Sequence, residues 1–143
     1  MKKLIVSILS FSIFFSLSFT ALGSTDPVIQ PYYNNATTAT ANFSINSSGK
    51  AVITLYCKGV PGVMTGVKVK TYIEKRNFLF FWTKVSIGQP NDEWIDTASG
   101  SSFAKEHSVQ LENKGTYRAV IKFTVSGTGG TADNIPFTIE DSY

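Results

Sequence analysis

The side chains in this 143-residue chain that could do chemistry are few. Cys57 is the only cysteine and His107 the only histidine. A nucleophile–base pair would need the two folded against one another, and their spacing gives no support for that. No G-x-S-x-G nucleophile elbow is present, so a Ser–His–acid arrangement has no anchor. Cys57 reads as a small buried hydrophobe. His107, within "AKEHSV", reads as a half-buried strand histidine. "QPNDEWID" gathers Asn91, Asp92, Glu93 and Asp96. Calcium takes about six to eight oxygens, and this loop lacks the spacing of a calcium loop, so it reads as a solvated turn. Zinc spacings and phosphate cradles are absent. The reading is therefore non-enzymatic, with no catalytic residue, no metal and no cofactor.

The remaining candidate is "NFLFFWTK", Asn77 to Lys84, with four aromatics and a leucine in consecutive places. A strand sends alternate side chains to opposite faces, so one core cannot absorb them all. By parity Phe78, Phe80 and Trp82 face outward, while Leu79, Phe81, Val85 and Ile87 face the core. A competing register, with an even-length loop after Ile73, turns Trp82 inward and Phe81 outward. Three aromatics carry about 450–750 Å² of side chain, more than monomers commonly expose in one patch. Basic residues cluster nearby: Lys58, Lys68, Lys70, Lys75, Arg76 and Lys84 stand against Glu74 alone. Lys68, Lys70 and Tyr72 lie on the outward face of the preceding strand, with Lys75 and Arg76 at the turn. The expected binding residues are Phe78, Phe80, Trp82, Lys68, Lys70, Lys75 and Arg76. Aromatics ringed by cations suit an anionic cell-wall polymer, a membrane surface or an acidic protein partner. The alternative is a structural protein that self-assembles through the same hairpin.

The N-terminus sets the compartment. Lys2 and Lys3, the apolar stretch Leu4–Phe19, and small residues at Ala21 and Gly23 have the layout of a secretory signal peptide cleaved before Ser24. The expected organisation is a signal peptide over 1–23, a flexible leader over 24–35 carrying Pro27 and Pro31, and one domain over 36–143. "TALGS" has Ser24 where a lipoprotein signal would have its lipid-bearing cysteine. The formal charge of +3 falls once Lys2 and Lys3 leave, which removes any global attraction to nucleic acid. A secreted chain with one cysteine and no possible internal disulfide fits bacterial export.

Strand signals recur along the remainder. Ala39, Ala41, Phe43 and Ile45 share one parity; "NSSG" turns the chain; Ala51, Ile53, Leu55 and Cys57 share the next. Val67, Val69, Thr71 and Ile73 alternate with Lys68, Lys70, Tyr72 and Glu74. Phe103, His107, Val109 and Leu111 follow, with Lys105 breaking the pattern. Tyr117, Ala119, Ile121, Phe123 and Val125 make the strongest run, and Ile135, Phe137 and Ile139 close the domain. About seven or eight short strands without a helical period predict an all-β antiparallel sandwich, with a barrel as the competing closure.

"ENKGTYRAV" narrows the fold. Asn113, Gly115, Tyr117 and Ala119 fill the four places of the D-x-G-x-Y-x-C corner of immunoglobulin domains, which the segment resembles. Ala119 stands where that pattern has cysteine, and no tryptophan lies on Val67–Ile73, so the family's disulfide and its packing partner are missing. With "SGKAVITLYCKG" and the signal peptide, the chain is similar to small secreted immunoglobulin-like proteins of Gram-positive bacteria. That resemblance implies a sandwich, a tryptophan-bearing hairpin and no assigned activity. Their hairpin is polar, and "NFLFF" departs from it.

Overall fold

The computed structural model describes residues 32–78 and 80–143. The signal peptide over 1–23, most of the leader and Leu79 lie outside the described residues. Alternating polarity is realised as eight strands: β1 (Ala36–Ile45), β2 (Lys50–Gly59), β3 (Met64–Arg76), β4 (Trp82–Lys84), β5 (Trp94–Ser99), β6 (Ser102–Gln110), β7 (Thr116–Gly127) and β8 (Asp133–Ser142). They make two antiparallel sheets, β1-β2-β6 and β4-β3-β7-β8. β5 shares the β4 edge of β3: β4 pairs with Glu74–Arg76 and β5 with Gly66–Thr71. The architecture is an immunoglobulin-like antiparallel β-sandwich, not a barrel.

The core lies between the sheets and comes from the residues that alternation selects. β2 supplies Ala51, Ile53, Leu55 and Cys57; β3 supplies Val67, Val69 and Ile73; β7 supplies Tyr117, Ala119, Ile121, Phe123 and Val125. Phe123 meets Phe103 and Phe137 edge-on, at 6.4 and 5.8 Å between ring centres. Cys57 is buried as expected. Burial, helped by the negative charge of Asp133, pushes its thiol up to about 11. The folded chain thus holds the neutral thiol, while the unfolded chain ionises near the ordinary value of 9.0. This contribution to stability is present below pH 9 and is lost as pH rises toward 11.

The corner motif behaves as a fold element. The buried Tyr117 hydroxyl donates to the Asn113 carbonyl, and its ring stacks on Tyr143 at 6.2 Å. Gly115 takes φ +152, and its N–H and C=O pair with the backbone of Tyr143 at 3.1 and 3.3 Å. Tyr117→Phe is expected to cost about 1 kcal/mol through the lost hydrogen bond. Urea denaturation reads this directly, and an unchanged midpoint would remove the corner from the account.

Two expectations need correction. Asn34 and Asn35, assigned to the leader, belong to the sandwich. Asp133 accepts the backbone N–H groups of Asn34, Asn35 and Ala36 at 2.7–2.9 Å. The Asn35 amide donates to the carbonyls of Val125 and Thr131 and accepts from the Gly129 N–H. Backbone polar groups entering a core must be paired, and Asp133 supplies the acceptors. The second correction concerns "QPNDEWID". Only Pro90–Asp92 is a turn, and Trp94–Ser99 is β5. One turn of strand-breaking residues masked the alternation of Trp94, Asp96 and Ala98 behind it.

Side chains close both open sides of the sandwich. On one side the β8 carboxylates of Asp133 and Asp141 accept N–H groups from the two ends of β1, with Asp141 taking Ile45 at 2.7 Å. On the other side His107 of β6 meets Asp96 of β5 at 2.7 Å and stacks on Trp94 at 4.7 Å. His107 is more deeply buried than the sequence suggested.

Candidate functional site, an aromatic hairpin tip

The segment Asn77 to Lys84 is a loop followed by a short strand. β4 keeps only three residues, with Trp82 opposite Arg76, Thr83 opposite Lys75 and Lys84 opposite Glu74. Asn77 and Phe81 close the loop: the Asn77 N–H donates to the Phe81 carbonyl at 2.9 Å, and the Asn77 side chain accepts from the Phe81 N–H at 3.0 Å. Phe78 and Phe80 lie between them at the tip, and Phe80 takes the left-handed conformation at φ +66. A three-residue hairpin loop asks for that conformation at its last position, where glycine is the usual occupant. A phenylalanine there is strained.

The three phenylalanines of this segment meet no core. Phe78 is 87% exposed, Phe80 77% and Phe81 65%. Phe81, expected in the core, is therefore an outward residue, since parity governs burial only where a second sheet lies opposite. Val85, one step past β4, does pack against the core, and Ile87 is half-buried. The exposed rings amount to on the order of 400 Å² of apolar side chain, comparable to the largest apolar patch of an ordinary monomer.

Trp82 is outward, as the first register expected, but it is not free. The Arg118 guanidinium sits 4.2 Å from its ring centre, and Arg76 lies 6.0 Å from both Trp82 and Phe80. Glu74 holds Arg118 at 2.7 Å, and Arg76 donates to the Thr116 hydroxyl at 3.2 Å. This alternation of cations and rings on the outer face fixes the hairpin base. Trp82 and Arg76 thus support the tip more than they present it. Arg118 escaped the sequence reading because only the pairing of β3 with β7, Glu74 opposite Arg118, brings it there.

The lysines do not ring the tip. Lys75 has the inward parity of Ile73 and lies over the Tyr117 ring at 5.5 Å. Lys68 and Lys70 are eight and six positions back from Arg76 along β3, so Lys70 is roughly 20 Å from the hairpin base. Lys70 is instead bound to Glu93 at 2.7 Å. Segregated charge in sequence was real, but an extended strand spreads it along its length and, at Lys75, onto its other face. Phe80→Gly is expected to stabilise the domain by about 1 kcal/mol by relieving the left-handed strain. Thermal unfolding tests this, and a lowered midpoint would mean that the Phe80 ring packs in a way its exposure denies.

The other chemical candidates have structural partners. The residue opposite His107 is Ile53, four positions along β2 from Cys57 and thus roughly 13 Å away, which separates the only possible cysteine–histidine pair. Asp92 accepts from the Ser86 hydroxyl and the Ile87 N–H, closing the 86–92 loop. Glu93 is shared by Lys70 and Lys84, and these bonds hold its carboxyl below the usual range. Among the described residues no group of His, Cys, Asp and Glu is placed to hold a metal ion.

The fold and hairpin together define an immunoglobulin-like sandwich with one projecting aromatic loop. No family model matches the chain, and no curated protein matches it. Among solved structures it is similar to the CARDB domain of a Pyrococcus furiosus protein crystallised in complex with di-metal ions. The two are 16% identical, with a TM-score of 0.45, covering 79% of this chain and 92% of that one.

Proposed function

We propose that the protein is an exported, non-catalytic binding module that inserts the loop of Phe78, Phe80 and Phe81 into an anionic membrane interface. The observation that carries this reading is the exposure of three phenylalanines within four positions at the end of a hairpin. A folded partner would need a pocket shaped to receive these rings. A fluid apolar phase needs none. Each ring that leaves water for the acyl boundary contributes about 2 kcal/mol. Beneath the tip, Arg76 and the amphipathic Trp82 stand at the level of the lipid headgroups, where such side chains are favoured. Residues 1–23, as a signal peptide, would deliver the module outside the cell.

Vesicle flotation tests the reading. The purified protein should float with vesicles containing about one-third anionic lipid and bind zwitterionic vesicles more weakly. Binding should survive moderate salt, because the apolar contribution is not screened. Sedimentation velocity without lipid separates this from assembly through the hairpin. A monomer that floats supports insertion, and a concentration-dependent oligomer that ignores vesicles favours self-association.

A further inference from the structure

Lys70, one of the lysines expected around the aromatics, belongs to a second, separate feature on the outer face of the larger sheet. There β3, β7 and β8 lie in register, so Lys70 stands directly opposite Lys122, which stands opposite Pro136. One step along, Tyr72 stands opposite Val120, which stands opposite Thr138. These six residues, with Ile121 and Phe137 between them, line a shallow groove of about 290 Å³. Like charges placed directly opposite across two strands destabilise a sheet. Here the pairing is only half relieved. Among the described residues Glu93 is the one carboxylate paired with Lys70, and it also binds Lys84. Lys84 lies 4.6 Å from the ring centre of Tyr72. Among the described residues Lys122 and Lys68 make no ion pair. The next carboxylate on this face, Glu74, is held by Arg118, and Glu140 lies opposite Arg118. The groove therefore carries surplus positive charge above an apolar floor of Tyr72, Val120 and Pro136.

We infer that this groove binds one acidic sugar unit of an anionic glycan, its carboxylate or phosphate lying between Lys70 and Lys122 and its ring on the apolar floor. An anion bridging the two ammonium groups supplies the counter-charge that the sheet lacks. Its volume, at the small end of ligand sites, suits a sugar unit better than a helix or a folded partner. Its lysine end, roughly 20 Å from the hairpin base along β3, stays out of the headgroup layer when the tip inserts. A soluble or wall-borne polymer is then its accessible ligand. This site is independent of membrane insertion.

The test is isothermal titration of the purified protein with polygalacturonate and with dextran phosphate, beside uncharged dextran and poly-glutamate. Saturable binding of either acidic glycan is expected, at least tenfold tighter than of the two controls, and the better of the two identifies the acid group. Lys122→Glu should weaken it at least tenfold, with circular dichroism unchanged and vesicle flotation retained. Phe78→Ser with Phe81→Ser should leave it unaltered. Absence of binding to both acidic glycans overturns the inference. So does equal binding of poly-glutamate or of uncharged dextran, an unaffected Lys122→Glu variant, or loss of binding in the tip variant.

Discussion

Asp133→Ala should destabilise the domain by roughly 3–5 kcal/mol, the largest single loss outside the apolar core, because three N–H groups entering the fold lose their acceptor together. Asn35 and Ala36 are buried, so water cannot replace the carboxylate without opening the seam between β1 and β8. The neighbouring chain cannot move aside. A Cβ on Gly129 would come within 2.2 Å of the Asn34 carbonyl oxygen, so the two backbones are already in contact. Asp133→Asn keeps one carbonyl oxygen and should lose less than Asp133→Ala. Urea unfolding of both variants measures the difference. A loss under about 1 kcal/mol for Asp133→Ala would mean that the β1 entry is held by something other than this carboxylate.

The second large effect concerns the tip. Phe78→Ser with Phe81→Ser should weaken vesicle binding by roughly 100- to 1000-fold, two rings at about 2 kcal/mol each. Stability should change by less than about 0.5 kcal/mol, since neither ring meets the core. Arg118→Ala is the informative contrast. It removes the cation stacked on Trp82 and the partner of Glu74, so it should loosen the hairpin base while leaving both tip rings in place. Binding that fell as far in Arg118→Ala as in the double variant would assign the contact to the sheet face.

Most of the sandwich is legible from alternation. The inward residues of β2, β3 and β7 follow their sequence parity, and Lys105 on the edge strand β6 breaks it in both sequence and structure. The corner motif places Tyr117 because its hydrogen bond to Asn113 is local. Three features were illegible, each for a physical reason. The burial of Asn35 depends on Asp133, 98 residues away. β5 hides behind a proline turn. The fates of Phe81 and of the lysines depend on where β3 outruns its partner sheet, which is a matter of strand length and register that parity does not carry. The aromatic run identified the hairpin, while the grouping of Lys70 with Lys122 needed the pairing of β3 with β7.

The most direct test of tip insertion is depth-resolved fluorescence. With Trp82→Phe and Trp94→Phe removing the native indoles, Phe78→Trp places a single reporter at the tip. Ile95→Trp places one on the exposed outer edge opposite Lys70. On anionic vesicles carrying brominated acyl chains, the reporter at position 78 should shift to the blue and be strongly quenched, while the reporter at position 95 should keep its aqueous emission. A bound protein whose reporter at position 78 stays in water, or is quenched no more than the one at position 95, would contradict insertion of the hairpin.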